Sequence, residues 1–163
     1  MAHTAQAMKV QSTKRVGRAK AAKHENKEVF AFFKTTRLQA CEKLFRKIEG
    51  RTALVEGKHD VQSLEAVGVK AAFVEANGKT EKIVERLEKT SPERRVILLL
   101  DFDAEGLRKQ GFFKTLLEEK GFAVDALYAR KLRALLGFTH VEEIESKYLK
   151  LKEKGEMHGK NVR

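Results

Sequence analysis

At 163 residues, with a formal charge of +11, 42% hydrophobic and 35% charged side chains, the chain can bury one core of about 100 to 150 residues and has sequence left for tails. Its lone cysteine, Cys41, excludes an internal disulfide, and the lack of any run of about 18 apolar residues excludes a membrane-spanning helix. The start, MAHTAQAMKVQSTKR, lacks the apolar segment of a secretory leader, so a soluble, cytoplasmic chain with Cys41 in its core is expected.

In chain order, residues 1–24 carry six Lys or Arg and no acid. Such a composition gains little by folding alone and reads as a flexible basic arm. Residues 25–50 place Val29, Phe33, Ala40, Leu44 and Ile48 near one helical face, with Phe30, Cys41 and Phe45 beside them. This predicts an amphipathic helix, loosened near Thr35 and Thr36 and ended by Gly50. RTALVEG then reads as a strand, DVQSLEAVG as a helix, VKAAFVEANG as a strand with its turn, and KTEKIVERLEKTS as a helix with Ile83, Val84 and Leu87 inward. RRVILLLD is the third strand, EGLRKQGFFKTLLEEKG a helix, and FAVDALY a fourth strand that contains Tyr128. Residues 131–163 form a charged helical extension, in which LRALLGF docks and EKGEMHGKNVR frays. Residues 51–130 are therefore the domain proper. Strands and helices that alternate, with continuously apolar strands, predict an α/β fold: a four-stranded, mostly parallel sheet between helices.

The charge is divided along the same lines. Residues 52–128 hold twelve basic and fourteen acidic side chains, so all the excess positive charge lies in the flanks. A basic arm and basic flanks around a slightly acidic centre suit a polyanion binder with a metal site, and nucleic acid is preferred over a merely solubilising tail. The acids of the centre gather at strand ends, with Glu56 closing the first strand and Asp101 and Asp103 closing the third. In an open parallel sheet, chemistry collects at the carboxyl ends of strands where the strand order reverses. If the first and third strands are neighbours, three carboxylates meet there, a donor set suited to Mg²⁺, with Mn²⁺ as the alternative ion. His59 has no partner at metal-ligand spacing, and zinc is not proposed.

A hydrophobic strand ending in Glu56-Gly57 with Asp60 three residues on, followed by hydrophobic-Asp101-x-Asp103-x-x-Gly106, resembles the Toprim domain of topoisomerases, bacterial-type primases, certain nucleases and recombination proteins. The resemblance covers residues 51–130 and lies nearest the small stand-alone type, the archaeal small Toprim proteins and the ribonuclease that matures 5S ribosomal RNA. It implies a Rossmann-like sheet, Glu56 as general acid or base, and Glu56, Asp101 and Asp103 as the metal-binding and catalytic set. Gly57 and Gly106 are expected to let backbone approach the site through tight turns. Lys58 and Arg108, which flank the two motifs, are candidate phosphate contacts and equally candidate surface charges. Asp60 either orients the site or caps the helix it precedes. Glu105 reads first as a carboxylate favoured in a helix's opening turn and second as a member of the metal shell.

The chain has two tyrosines and no sequence for the gate of a topoisomerase or the template-handling domains of a primase. Metal-assisted phosphodiester hydrolysis is the economical alternative. The expectation is a Mg²⁺-dependent RNA endonuclease of ribosomal RNA processing, with RNA, a ribosome or a ribosomal protein as partner and no membrane. The alternative is a non-catalytic, RNA-binding or ribosome-associated protein, and a weaker one is a DNA repair or recombination accessory.

Overall fold

The computed structural model describes residues 36–159, and side chains as far as Gly155. The basic arm, the first part of the helical extension and the last four residues lie outside the described residues. Helix α1 covers residues 36–48. The elements that follow are β1 (Thr52–Val55), α2 (Lys58–Ala66), β2 (Ala72–Glu75), α3 (Thr80–Thr90), β3 (Arg95–Leu99) and α4 (Ala104–Glu119). The chain continues through β4 (Ala123–Asp125), α5 (Leu127–Leu136), a 3₁₀ turn (Val141–Glu143) and α6 (Ile144–Gly159). Among the described residues, no helix is long and apolar enough to cross a membrane.

The four strands are all parallel, in the order β2-β1-β3-β4. Strand parity explains why their sequences read as unbroken apolar runs. Ala53, Val55, Ile97 and Leu99 point to one face, where they meet Leu44 and Ile48 of α1, Leu64 of α2, Leu132 of α5 and Ile144 of α6. Leu54, Val96, Leu98 and Leu100 point to the other, against Ile83 and Leu87 of α3 and Phe113 and Leu117 of α4. Each fully buried aliphatic side chain contributes roughly 1.5–3 kcal/mol, so a sheet covered on both sides gains from every position. Cys41 is fully buried in the first of these cores, and burial pushes its thiol up to about 11. It is a core residue, as expected. Tyr148 is also buried, edge-on to Phe45 at 5.3 Å, with its hydroxyl donating to Glu42.

Two expectations change. Tyr128 is not in the last strand: β4 stops at Asp125, whose carboxylate accepts the Leu127 N–H at 2.7 Å, and α5 begins there. The short side-chain acceptor bonds the backbone two residues on, an Asx turn that bends the chain before the strand can continue. The tail expected to fray from Glu153 instead continues α6 to Gly159.

Gly106 controls how closely α4 approaches the end of β3. A Cβ there would lie 2.4 Å from the backbone oxygen of Asp101. Gly106→Ala should therefore destabilise the fold by about 1–3 kcal/mol, because the obstructing atoms are backbone and the collision outweighs alanine's gain in helix propensity. Urea denaturation of the two chains checks this, and an alanine variant at or above wild-type stability would contradict it.

Candidate active site

Connections from β1 and β3 leave in opposite directions, β1 to β2 over the α2 face and β3 to β4 over the α4 face. The crevice between the carboxyl ends of β1 and β3 is thus the switch point of the sheet, where open α/β folds bind ligands. Val55 pairs with Leu99, so the next residues of both strands emerge side by side. The Asp101 N–H points at Glu56 Oε1 at 3.4 Å, joining residues 45 apart in sequence. Glu56 and Asp101 are mostly covered, with side chains 21% and 16% exposed.

Asp60 sets the backbone on the β1 side. It is buried, and its Oδ2 accepts the N–H groups of Glu56 and Gly57, both at 3.0 Å. The two roles foreseen for Asp60 are one: it caps the start of α2 by holding the segment that carries Glu56. Burial pushes its carboxyl up to about 6, with the charges of Asp101 and Glu56 adding to the rise and the two N–H bonds opposing it. Gly57 is extended, at φ −163° and ψ −173°, and a Cβ there would meet nothing within 4 Å. The chain turns from β1 into α2 over Glu56 and Gly57 alone, and the contribution of Gly57 is its N–H.

On the β3 side, both oxygens of Asp101 are held by the segment after α5. Oδ1 accepts the Val141 N–H at 2.7 Å, at the amino end of the 3₁₀ turn that leads into α6, and Oδ2 lies 3.0 Å from His140 Nδ1. This bond holds the His140 imidazole above its ordinary pKa. Asp103 is the N-cap of α4, accepting the Gly106 N–H at 2.7 Å. Between them Phe102 is buried, edge-on to Phe138 at 5.8 Å, and its N–H donates to the Thr139 carbonyl at 2.8 Å.

Glu56 turns its other oxygen to a cation. Lys109 Nζ lies 2.7 Å from Glu56 Oε2 and 2.9 Å from Glu105 Oε1, and these two bonds hold its ammonium well above the usual lysine range. The structure thus brings Glu56 and Asp101 together, assigns Asp103 to the α4 cap and gives Glu105 to Lys109. Lys58 is exposed in the first turn of α2, and Arg108 is exposed with Nε 3.3 Å from the Ala104 carbonyl of its own helix. His59 is exposed, 3.8 Å from Glu142. Lys109 and His140 are members that the sequence reading missed. Lys109 was within reach, since it stands four residues after Glu105 on a helix. His140 carries no local signal, because its partner is 39 residues away.

Among the described residues, no three His, Cys, Asp or Glu side chains close around a common point as a metal cage. That donor arrangement still fits Mg²⁺ in kind, because Mg²⁺ is held by one or two carboxylates and completes its shell with water and substrate phosphate. At Glu56 such an ion would meet Lys109 already in place.

This fold, with two carboxylates meeting at its switch point, defines a Toprim-like domain, and a family model described as Toprim-like matches residues 53–133. Toprim domains are metal-binding domains of nucleases, primases and topoisomerases that act on nucleic acid, and they usually hold Mg²⁺ through acidic residues. A UPF0292 protein of Archaeoglobus fulgidus is 33% identical over 116 residues, which are 69% of this chain and 90% of that protein. A solved structure of a protein from Aquifex aeolicus superposes with a TM-score of 0.54 at 30% identity, over 63% of this chain and 95% of that one. The chain belongs to the UPF0292 family of small Toprim-like proteins.

Substitution of Asp60 separates its hydrogen bonds from its charge. Asp60→Ala leaves two backbone N–H groups without their acceptor and should cost about 2 kcal/mol or more. Asp60→Asn keeps an acceptor oxygen and removes the buried charge. Because the folded pKa is raised from 3.8 to about 6, the wild type loses stability as pH rises from about 4 through 6. Asp60→Asn should therefore gain on it across that window and stay ahead at higher pH. Urea denaturation at pH 4, 6 and 8 checks both, and a gap that narrows with rising pH would contradict the sign.

Proposed function

We propose that this protein is a Mg²⁺-dependent phosphodiesterase that cleaves RNA, acting in the cytoplasm on ribosomal RNA precursors, with Mn²⁺ as the alternative ion. The observation that carries the reading is the meeting of Glu56 and Asp101 at the switch point, marked by the 3.4 Å approach of the Asp101 N–H to Glu56. Asp101 and Asp103 are the residues that would hold the ion, with Glu56 beside them. When bound, the ion supplies charge neutralisation at the phosphate and a site for water. Glu56 then serves as the general base, taking a proton from the attacking water through a carboxylate oxygen. Lys109 holds one oxygen of the Glu56 carboxylate at 2.7 Å and so fixes the side chain's position in the resting site. Asp60 fixes the position of Glu56 through the backbone, and Gly106 lets the Asp103 cap sit against the end of β3. Lys58 and Arg108, exposed beside the two motifs, are available to substrate phosphates.

A second reading has its own support. Both oxygens of Asp101 are occupied within the chain, and Glu56 is paired with Lys109. Charges so fully matched suit a structural polar centre in a non-catalytic RNA-binding or ribosome-associated protein.

Cleavage assays on structured ribosomal RNA fragments decide between them. Wild type should cleave in Mg²⁺ or Mn²⁺, and Glu56→Gln should lose about 10²–10⁴-fold in rate. Asp101→Asn with Asp103→Asn should abolish the metal-dependent cleavage while RNA binding persists or tightens, since negative charge is removed. Tight binding with no cleavage in either metal selects the second reading, and cleavage of DNA in place of RNA overturns the substrate assignment.

A further inference from the structure

A groove beside these acids is used neither by the fold nor by the chemistry described so far. Strand β4 ends at Asp125, paired with Ile97, two residues short of the end of β3. Helices α4 and α5 flank the sheet where β4 no longer covers it. Between them lies a cavity of about 690 Å³, lined by Phe102, Leu107, Gln110, Arg130, Arg133 and Thr139 among others. Phe102 is the residue between Asp101 and Asp103, and Thr139 adjoins His140, so two of the groove's lining residues are chain neighbours of the acidic edge.

The lining has the chemistry of a strand-binding surface. Arg133 is held with its guanidinium 4.7 Å from the Phe102 ring centroid, a cation–π contact that leaves its donors available. Leu107 is 48% exposed, an apolar surface for a base or sugar. The amide nitrogen of Gln110 is buried and meets no partner among the described residues, and an unmet buried donor calls for an acceptor. Arg130 lines this groove and also a second cavity of about 700 Å³ at the amino edge of the sheet, where Arg51, Arg95 and Lys114 join it alongside Glu93 and Asp125. Cations therefore follow α5 from one edge of the sheet to the other. The groove has the volume of a small-ligand pocket, enough for one or two nucleotides and too little for a duplex.

We propose that the groove between α4 and α5 binds the backbone of a single-stranded nucleic-acid segment next to the acidic edge, with Arg133 and Arg130 contacting successive phosphates. This rests on the reading of the site as one that handles nucleic acid, but it does not require cleavage. Leu107 packs against a base.

The test is fluorescence anisotropy of the full chain with labelled oligouridylate and oligothymidylate of about 12 nucleotides, in EDTA, across a salt titration. Arg130→Gln with Arg133→Gln should lower the slope of log affinity against log salt by about 1.4 and weaken binding about 25-fold at 0.1 M salt, from roughly 0.7 per phosphate contact. Lys82→Gln with Lys89→Gln makes the same charge change on α3, across the sheet from α5, and should leave the slope unchanged. Arg133 packs on Phe102, so exposed Arg130→Gln alone, expected to lower the slope by about 0.7, protects the result against a folding defect. Photocrosslinking of thiouridine-substituted oligonucleotide should label the peptide from Leu127 to Thr139. An unchanged slope in the Arg variants, or an equal loss in the α3 control, overturns the groove while leaving nucleic-acid binding intact. A wild-type chain that binds neither strand overturns both readings. Binding through the groove in a chain that never cleaves supports the groove and refutes only the phosphodiesterase.

Discussion

Asp101 sits where β3 leaves the sheet, and its carboxylate is bound at both oxygens by the segment that follows α5, through the Val141 N–H at 2.7 Å and His140 at 3.0 Å. The contact places a negative charge at the amino end of a helical turn, which favours it. It also decides where the last part of the chain goes. With Asp101 and the Phe102 N–H both bonded to residues 139–141, the chain must return to the carboxyl edge after Gly137, whose left-handed conformation at φ 72° ends α5. Glu143 accepts the His140 N–H at 3.0 Å and secures the turn from its other side. From there Ile144 and Tyr148 of α6 complete the core over α1 and α2. One carboxylate thus anchors the C-terminal helices to the sheet and belongs to the site.

The same economy governs charge. Carboxylates drawn together at partly covered positions repel, and without partners their charged forms are disfavoured. Here Lys109 bridges Glu56 and Glu105, and His140 meets Asp101. Asp60 has only backbone donors, and it is the carboxyl pushed up toward 6. A divalent ion held at Glu56 would have to replace an ammonium already at 2.7 Å, and its affinity would be the difference between two charge interactions. Lys109 released from Glu56 still has Glu105, at 2.9 Å, to hold it beside the site.

What could be read from sequence was what depends on neighbours along the chain. The apolar runs of ALV and VILLL gave the two central strands, because both of their faces are buried, and the shorter run AFV gave the edge strand β2, of which Val74 alone is buried. The carboxylates at the ends of β1 and β3 were visible as punctuation after those runs. Asp60 fills both of the roles foreseen for it, and Glu105 stands in the opening turn of α4 with Lys109 four residues on, since contacts within a few residues cost little chain entropy to form. The misses are contacts across the fold. His140 to Asp101 spans 39 residues, Lys109 to Glu56 spans 53, and Arg133 over Phe102 needs α5 to cross above β3. The length of β4 was overread because Leu127 and Tyr128 suit a strand as well as a helix, and the chain turns at Asp125, whose carboxylate accepts the Leu127 N–H.

The separation of charges gives the molecule a direction. Acids are concentrated at the carboxyl edge between β1 and β3, while Arg130 and Arg133 lie along α5 beside it. A polyphosphate chain is repelled by the first and drawn to the second, so its most favourable position has phosphates in the groove and its backbone leading toward the acidic edge. Only a phosphate whose charge is offset by a cation can then cross onto the carboxylates. Under the proposed chemistry that cation is the metal, so strand binding answers to salt through the arginines and hydrolysis answers to the ion held by Asp101 and Asp103. Lys109, lying between Glu56 and Glu105, stands at the boundary of the two systems: it neutralises the acids when no phosphate is present and offers a positive charge to one that arrives.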